Sequence, residues 1–267
     1  MAIGGYGTTE KLRRLHKTGG LPMLAGRIVD SVIFSSPTPG LIQRAYSSVS
    51  PSVYRAAKHD VNEYGDIDPY RVYQVNPTDI TEFSRRPWPL WKGMSFDFGR
   101  VRGGDWDIRD TPEISPEYSR KAFDLHYADT FEESVLFRSL ESRFVEGVDW
   151  SETPIVQRAT ELIDQDIPAW QQSESRKDIK DRCAEIDRLY ESIQEEGVLS
   201  QAELQRRGHV PQTDFIKRKK NEVLCDIGRD GQLLFVNGRH RLAIAKILDL
   251  NQVPISILVR HEKYMND

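Results

Sequence analysis

At 267 residues, with 29% charged side chains and a mean hydropathy of -0.56, the chain has the make-up of a water-soluble globular protein of one large or two modest domains. No run approaches the ~20 apolar residues of a membrane span, and the Gly-rich start followed by a basic segment is not a secretory leader. A formal net charge of -4 counts against general nucleic-acid binding, and two cysteines, Cys183 and Cys225, exclude a disulfide framework and a cysteine-built zinc site.

Cysteine usage therefore predicts a reducing compartment, the cytoplasm by default. Charge is unevenly spread: residues 1–60 hold eight Lys/Arg against three Asp/Glu, leaving 29 against 38 in the rest. The reading is a basic helical arm on an acidic body. In the arm, Thr8 caps a helix that runs through Lys17 to the Gly19-Gly20 break. A second helix follows with Leu24, Ile28, Val32 and Ile33 on one face, ended by the Gly/Pro/Ser run from Ser35 to Gly40. Two readings stand: a helical hairpin packed on the body, which is favoured, and an amphipathic arm lying on an anionic membrane surface.

Residues 61–182 read as an α+β accessory region. Tyr70–Val75 alternates like a strand and Asn76-Pro77 breaks it. Residues 87–110 are rich in Trp and Gly, with strand-like pieces around Phe96 and Val101. Asp105, Trp106 and Asp107 follow paired glycines: a tight turn with Trp106 plugging a core is the favoured reading, and two carboxylates flanking an indole make the segment the best candidate for a second, substrate-binding site. A helical stretch over Pro116–Arg143 contains His126, read as packed rather than catalytic. Ser151 is a candidate helix cap before Pro154. Residues 171–182 read as a polar connector or helix start, and Lys217-Arg218-Lys219-Lys220 as a solvated basic run or a steering patch for polyanions.

The most informative segment is Phe235-Val236-Asn237-Gly238-Arg239-His240-Arg241, followed by the apolar helix Leu242–Lys246. A strand (Leu233–Val236) ends in a glycine turn and a helix opens with three basic side chains. Free N–H groups and the dipole at a helix N-terminus favour an anion, glycine allows close approach, and arginines grip phosphate oxygens in pairs. Asn237, Gly238, Arg239, His240 and Arg241 are thus the candidate phosphate-binding residues. The plainer alternative is a helix that opens with exposed cations, at a cost of a few tenths to ~1 kcal/mol.

From about Cys183 to Glu262 the chain resembles the ParB/sulfiredoxin-like superfamily. Ile186–Ile193 resembles its first helix and Gly197-Val198-Leu199-Ser200-Gln201 its Gly-Leu-x-x-Gln turn. Leu224–Arg229 with Leu233–Val236 resembles the hairpin before the phosphate loop. Gly238–Arg241 resembles the Gly-x-His-Arg loop, and Val253–Val259 the closing strand. The resemblance implies a C-terminal domain over 183–267 with a small mixed sheet, and hence an α/β (α+β) fold preceded by a mainly helical, Trp/Gly-containing region. It also implies that the loop binds the phosphates of ATP or another nucleoside triphosphate with Mg²⁺, and that Gln201 contacts the nucleotide. Where sulfiredoxin carries its reactive cysteine this chain has Arg239, so sulfinate repair is not expected. The DNA-binding region that follows the domain in partition proteins does not follow here, so partition is not expected either. The remaining branch contains stand-alone kinases.

Phosphoryl transfer needs charge neutralisation and a base on the acceptor hydroxyl. Arg239 and Arg241 supply the first. His240, with an ordinary pKa of ~6.5, is a candidate phosphate contact or proton carrier, and Asp226 and Glu222 are candidate bases. Three functions follow from these residues: an ATP-dependent kinase on a small or lipid-linked hydroxyl; a nucleotide-gated regulatory binder; and a ParB-like DNA-binding protein or nuclease, which the acidic body disfavours.

Overall fold

A computed structural model describes residues 21, 23–34, 40–59, 67–91 and 94–266. Residues 1–20, with the expected Thr8–Lys17 helix, lie outside them.

Two sequence runs without polar alternation fix the centre of the fold. Strand β4 (Val223–Ile227) and strand β6 (Val253–His261) are buried at every position, as strands covered on both faces must be. They pair in parallel, and β5 (Leu233–Asn237) joins β4 antiparallel. The rest of the sheet comes from earlier in the chain. β1 (Val72–Val75) pairs antiparallel with the first half of β6, β3 (Arg100–Arg102) parallel with its second half, and β2 (Glu82–Phe83) parallel with β5. The result is a mixed, open, six-stranded sheet in the order β1-β6-β4-β5-β2, an α/β fold.

Side-chain alternation along β4, β5 and β6 divides the core into two layers. Val223, Cys225, Ile227, Phe235, Ile255 and Ile257 face one layer. Against them pack α5 (Val135–Phe144), α6 (Pro154–Ile163), α7 (Arg176–Glu196) and α10 (Arg239–Ile247). Leu224, Leu234, Val236 and Leu258 face the other layer, with Trp88, Phe98, Phe123 and Trp106. There α9 (Phe215–Lys220) brings Phe215 onto Tyr54 of α2 (Gly40–His59), ring centroids 5.4 Å apart.

Several expectations change. The boundary at 183 falls inside α7, whose capping box (Ser175 with Asp178) starts it eight residues earlier. Strands β1 to β3, from the 61–182 region, complete the same sheet as β4 to β6. The Pro116–Arg143 stretch is two helices, α4 (Arg120–Asp124) and α5, because Ser134 caps a new start: its side chain accepts from Phe137 N–H. Phe96 lies in the short helix α3 (Met94–Asp97) rather than a strand. The cap before Pro154 is Thr153, not Ser151. In α1 (residues 23–34) Met23 and Asp30 are buried, and of the predicted apolar stripe Leu24 and Ile33 are half-buried while Ile28 and Val32 are exposed.

Candidate functional site

Strand β5 ends at Asn237 and Gly238 turns the chain into α10. Gly238 sits at φ 90°, a left-handed position that favours glycine, and a Cβ there would come within 2.9 Å of Val223 Cα. Both facts seat the turn tightly on the start of β4. That contact brings Glu222, immediately before β4, to the opening turn of α10. Asn237 Nδ2 donates to Lys220 O, and Arg241 Nη2 donates to Asn221 O, so the loop is stitched to the α9–β4 corner. α8 (Gln201–Arg207) closes the same corner: the Gln201 backbone N–H donates to Glu222 Oε1 at 3.0 Å.

Charges at this corner are poorly matched. Arg239, His240 and Arg241 are half-buried and Glu222 is 1% exposed. Arg241 Nη1 and Glu222 Oε2 are both buried without a hydrogen-bond partner. Burial pulls the Arg239 guanidinium down to about 10 and lowers Arg241, with Glu222 opposing the latter. Burial raises the Glu222 carboxyl against the pull of Arg241, Lys219 and the Gln201 N–H. Lys219, expected on a solvated face, is 8% exposed and is pushed down to about 8 by burial. This is a cationic corner with one carboxylate, the setting in which an incoming anion gains most.

Both histidines here are neutral acceptors. Trp170 Nε1–H donates to His240 Nε2 at 3.2 Å, which leaves the ring's own hydrogen on Nδ1. Arg239 Nη1 donates to His126 Nδ1 at 2.6 Å. Burial, then the charges of Arg239, Arg182 and Arg241, hold His240 down at about 3; burial and Arg239 hold His126 well below its ordinary value. His240 is therefore no proton carrier near neutrality; its Nε2 is occupied, and the Nδ1 hydrogen is what it has left to offer a phosphate.

Trp170 was not a candidate from the sequence. It is fully buried in a turn where Trp170, Gln171 and Gln172 all have positive φ (32°, 61° and 68°), and Gln171 Nε2 lies 3.5 Å from His240 Nδ1. Three successive non-glycine residues in that region store strain, which concentrates at functional sites. No local signal, such as a glycine, announces the turn.

His126 also borders a cleft of ≈ 380 Å³ lined by Trp88, Trp91, Tyr118, His126, Gln172 and Glu174 among others, within the size range of small-ligand sites. The Trp-rich segment thus approaches the loop through Trp88 and Trp91.

Asp105, Trp106 and Asp107 lie elsewhere. Arg229, in the β4–β5 turn, donates from Nη2 to Asp105 Oδ1 and Asp107 Oδ1 at 2.8 Å each, and its backbone N–H reaches Asp107 Oδ2 at 2.7 Å. Trp106 is 5% exposed and its Nε1 donates to Arg102 O. With β5 between them, that turn and Gly238 are roughly 20 Å apart. Asp107, beside the buried Trp106, thus forms a buried clasp with Arg229, while Asp105 joins it through Oδ1 alone and stays exposed. Asp226 is likewise in the core: 0% exposed, it accepts from Ser84 Oγ (2.6 Å), Arg86 Nε (2.7 Å) and Val259 N (3.1 Å). A base needs a free oxygen facing the substrate, so Asp226 is replaced in that role by Glu222.

Cys183 and Cys225 are buried free thiols; burial pushes Cys183 up to about 12 and Cys225 well above its ordinary value, so neither is poised as a nucleophile. Among the described residues no cluster of three His, Cys, Asp or Glu side chains is placed to hold a metal, and Glu222 Oε2 is a buried carboxylate oxygen at the loop without a hydrogen-bond partner. No helix among them is long and apolar enough to cross a membrane. No family model, no curated protein and no solved structure matches the chain.

Proposed function

We propose that the corner formed by Asn237–Arg241, Glu222 and Gln201 binds the phosphates of a nucleoside triphosphate and that the protein is a phosphotransferase acting on a hydroxyl. The observation that carries this reading is the pair of buried, unpartnered atoms at the α10 N-terminus, Arg241 Nη1 and Glu222 Oε2, in a setting with more cations than anions. A donor aimed at phosphate and an acceptor aimed at a hydroxyl are what the reaction asks of a protein.

In this reading Gly238 admits the phosphates to the backbone N–H groups of α10, and Arg241 Nη1 takes a phosphate oxygen. Arg239, steadied by His126, adds charge from the side of the aromatic cleft. Glu222, fixed by Gln201 through Oε1, accepts the acceptor hydroxyl's proton at Oε2 as that oxygen bonds to phosphorus and the nucleoside diphosphate departs. Bound nucleotide would bring Mg²⁺ with it, since the corner offers the metal one carboxylate. The cleft beside Trp88 and Trp91 is the place for the base or the acceptor. The likeness to ParB/sulfiredoxin-like domains agrees with this assignment of the loop.

A regulatory reading draws support from the strained Trp170–Gln172 turn against His240: a ligand that displaced His240 would release that turn. Nucleoside diphosphate release, measured with and without a panel of alcohols, separates the two. The kinase reading expects acceptor-dependent turnover that Glu222→Gln lowers at least about 100-fold, in the range for loss of a general base, while binding persists. Binding without turnover under any acceptor would leave the regulatory reading in its place.

A further inference from the structure

The aromatic cleft beside the phosphate corner has the opposite chemistry to the corner. One part of its lining is aromatic. Trp88 N–H donates to Glu113 O and Ser115 N–H to Trp88 O, and Tyr118 N–H closes a turn onto Ser115 O. That pairing gathers Trp88, Trp91 and Tyr118, whose ring planes stand at 79°, 81° and 89° to one another with centroids 4.9–6.2 Å apart. Trp88 is buried, whereas Trp91 and Tyr118 are half-buried and keep ring surface on the cleft.

The charged part of the lining is acidic. Reciprocal backbone bonds between Ala169 and Ser173 fold the 166–174 segment back on itself, and it brings Asp166 and Glu174 to the cleft, both exposed. Glu117 joins them and accepts from Ser115 Oγ at 3.2 Å. Among the described residues no lysine or arginine lines the cleft. His126 does, as a neutral ring: Arg239 donates to its Nδ1, and the ring keeps its own hydrogen on Nε2.

We propose that this cleft binds a small, free organic cation, with an alkylated ammonium group against Trp91 and Tyr118 and its charge balanced by Asp166 and Glu174. Aromatic rings attract a weakly hydrated cation through their quadrupole, and carboxylates without a facing Lys or Arg add to that field. A nucleobase would stack on the same rings but gains nothing from the carboxylates, and an anion is repelled by them. The volume of ≈ 380 Å³ suits a small molecule. Binding of the cation stands without the phosphotransferase reading. Joined to that reading, on which this clause alone rests, it makes the acceptor a cation-bearing alcohol and places the nucleobase elsewhere.

The test is titration of the full chain, without nucleotide, with choline and with the neutral alcohol that carries a tert-butyl group in place of the trimethylammonium. Calorimetry and tryptophan fluorescence report binding. Choline should bind saturably and at least about tenfold tighter than its uncharged isostere. Trp91→Ala should weaken choline about tenfold and Trp91→Phe, which keeps a ring, less. Glu174→Gln, at an exposed position that folding tolerates, should weaken it a few-fold, by less as salt is added. Arg241→Ala should bind choline as the wild type does, so this assignment and that of the phosphate loop fail separately. Equal affinity for the two alcohols, no choline binding, or adenosine bound in choline's stead would overturn the proposal, as would affinity indifferent to both Trp91→Ala and Glu174→Gln. Phosphatidylcholine vesicles test the source: the protein should stay in the supernatant, and pelleting that choline reverses would overturn a free cation in favour of a lipid headgroup.

Discussion

Strand β5 separates two charged clusters of opposite balance. At the Arg229 end one guanidinium meets two carboxylates, and every close contact is answered: Asp107, 0% exposed at its side chain, takes bonds from the Arg229 backbone and side chain and lies 3.6 Å from His261 Nε2. At the Gly238 end Arg239, Arg241 and the nearby Lys219 meet one carboxylate, and a donor and an acceptor are left over. Paired charge in a folded chain is spent on the fold. Unpaired buried charge is costly and persists where a ligand completes it.

The difference can be tested by removing charge at each place. The largest loss belongs to the paired core. Asp226→Ala leaves the buried Arg86 guanidinium with Asp97 but without a partner at Nε, and orphans Ser84 Oγ and Val259 N–H as well. It should cost about 3–5 kcal/mol in denaturant unfolding. At the clasp, Asp107→Ala orphans a donor and should cost about 2 kcal/mol, with nucleotide affinity untouched. At the loop the sign changes, because Arg241→Ala removes a cation that burial disfavours. Stability should stay within about 1 kcal/mol of wild type or rise, while the thermal stabilisation expected from added ATP disappears. If Arg241→Ala unfolds the protein as Asp226→Ala does, the contrast is lost and Arg241 is structural.

Acid sharpens the same contrast. The unfolded His240 ring takes a proton near pH 6.5 and the folded ring stays neutral down to about 3. Its contribution to stability is whole above pH 6.5 and is lost as pH falls from there toward 3. Glu222 works the other way, since a carboxyl raised by burial takes its proton more readily in the folded state and gains stability as pH falls. The His240 shift is the larger of the two. Melting temperature should therefore fall across that window, and His240→Gln should flatten the fall; an unchanged slope would place the acid sensitivity elsewhere. A bound anion should lift the His240 pKa, measurable from its ring carbon proton by NMR.

Much of the loop was legible because its signals are local. Asn237-Gly238 before three basic residues, with β-rich runs on one side and an apolar helix on the other, placed β5, the turn and α10 within one residue. The partners were not legible, because they arrive from far along the chain: Trp170 is 70 residues from His240, His126 is 113 from Arg239, and Arg86 is 140 from Asp226. Asp226 and Glu222 look alike as carboxylates near a basic loop. Only the sheet shows that one meets Arg86 in the core and the other faces the turn. At Asp105–Asp107 the local sequence told half the story: Trp106 plugs a core as favoured, whereas Arg229, 122 residues from Asp107, was out of view.

The most direct test of the central claim is isothermal titration of the full chain with ATP, CTP and GTP in Mg²⁺, beside Arg241→Ala and Asp107→Ala. Saturable binding of at least one nucleotide, lost in Arg241→Ala and kept in Asp107→Ala, is the predicted result. No binding to any nucleotide, or binding indifferent to Arg241, would contradict it.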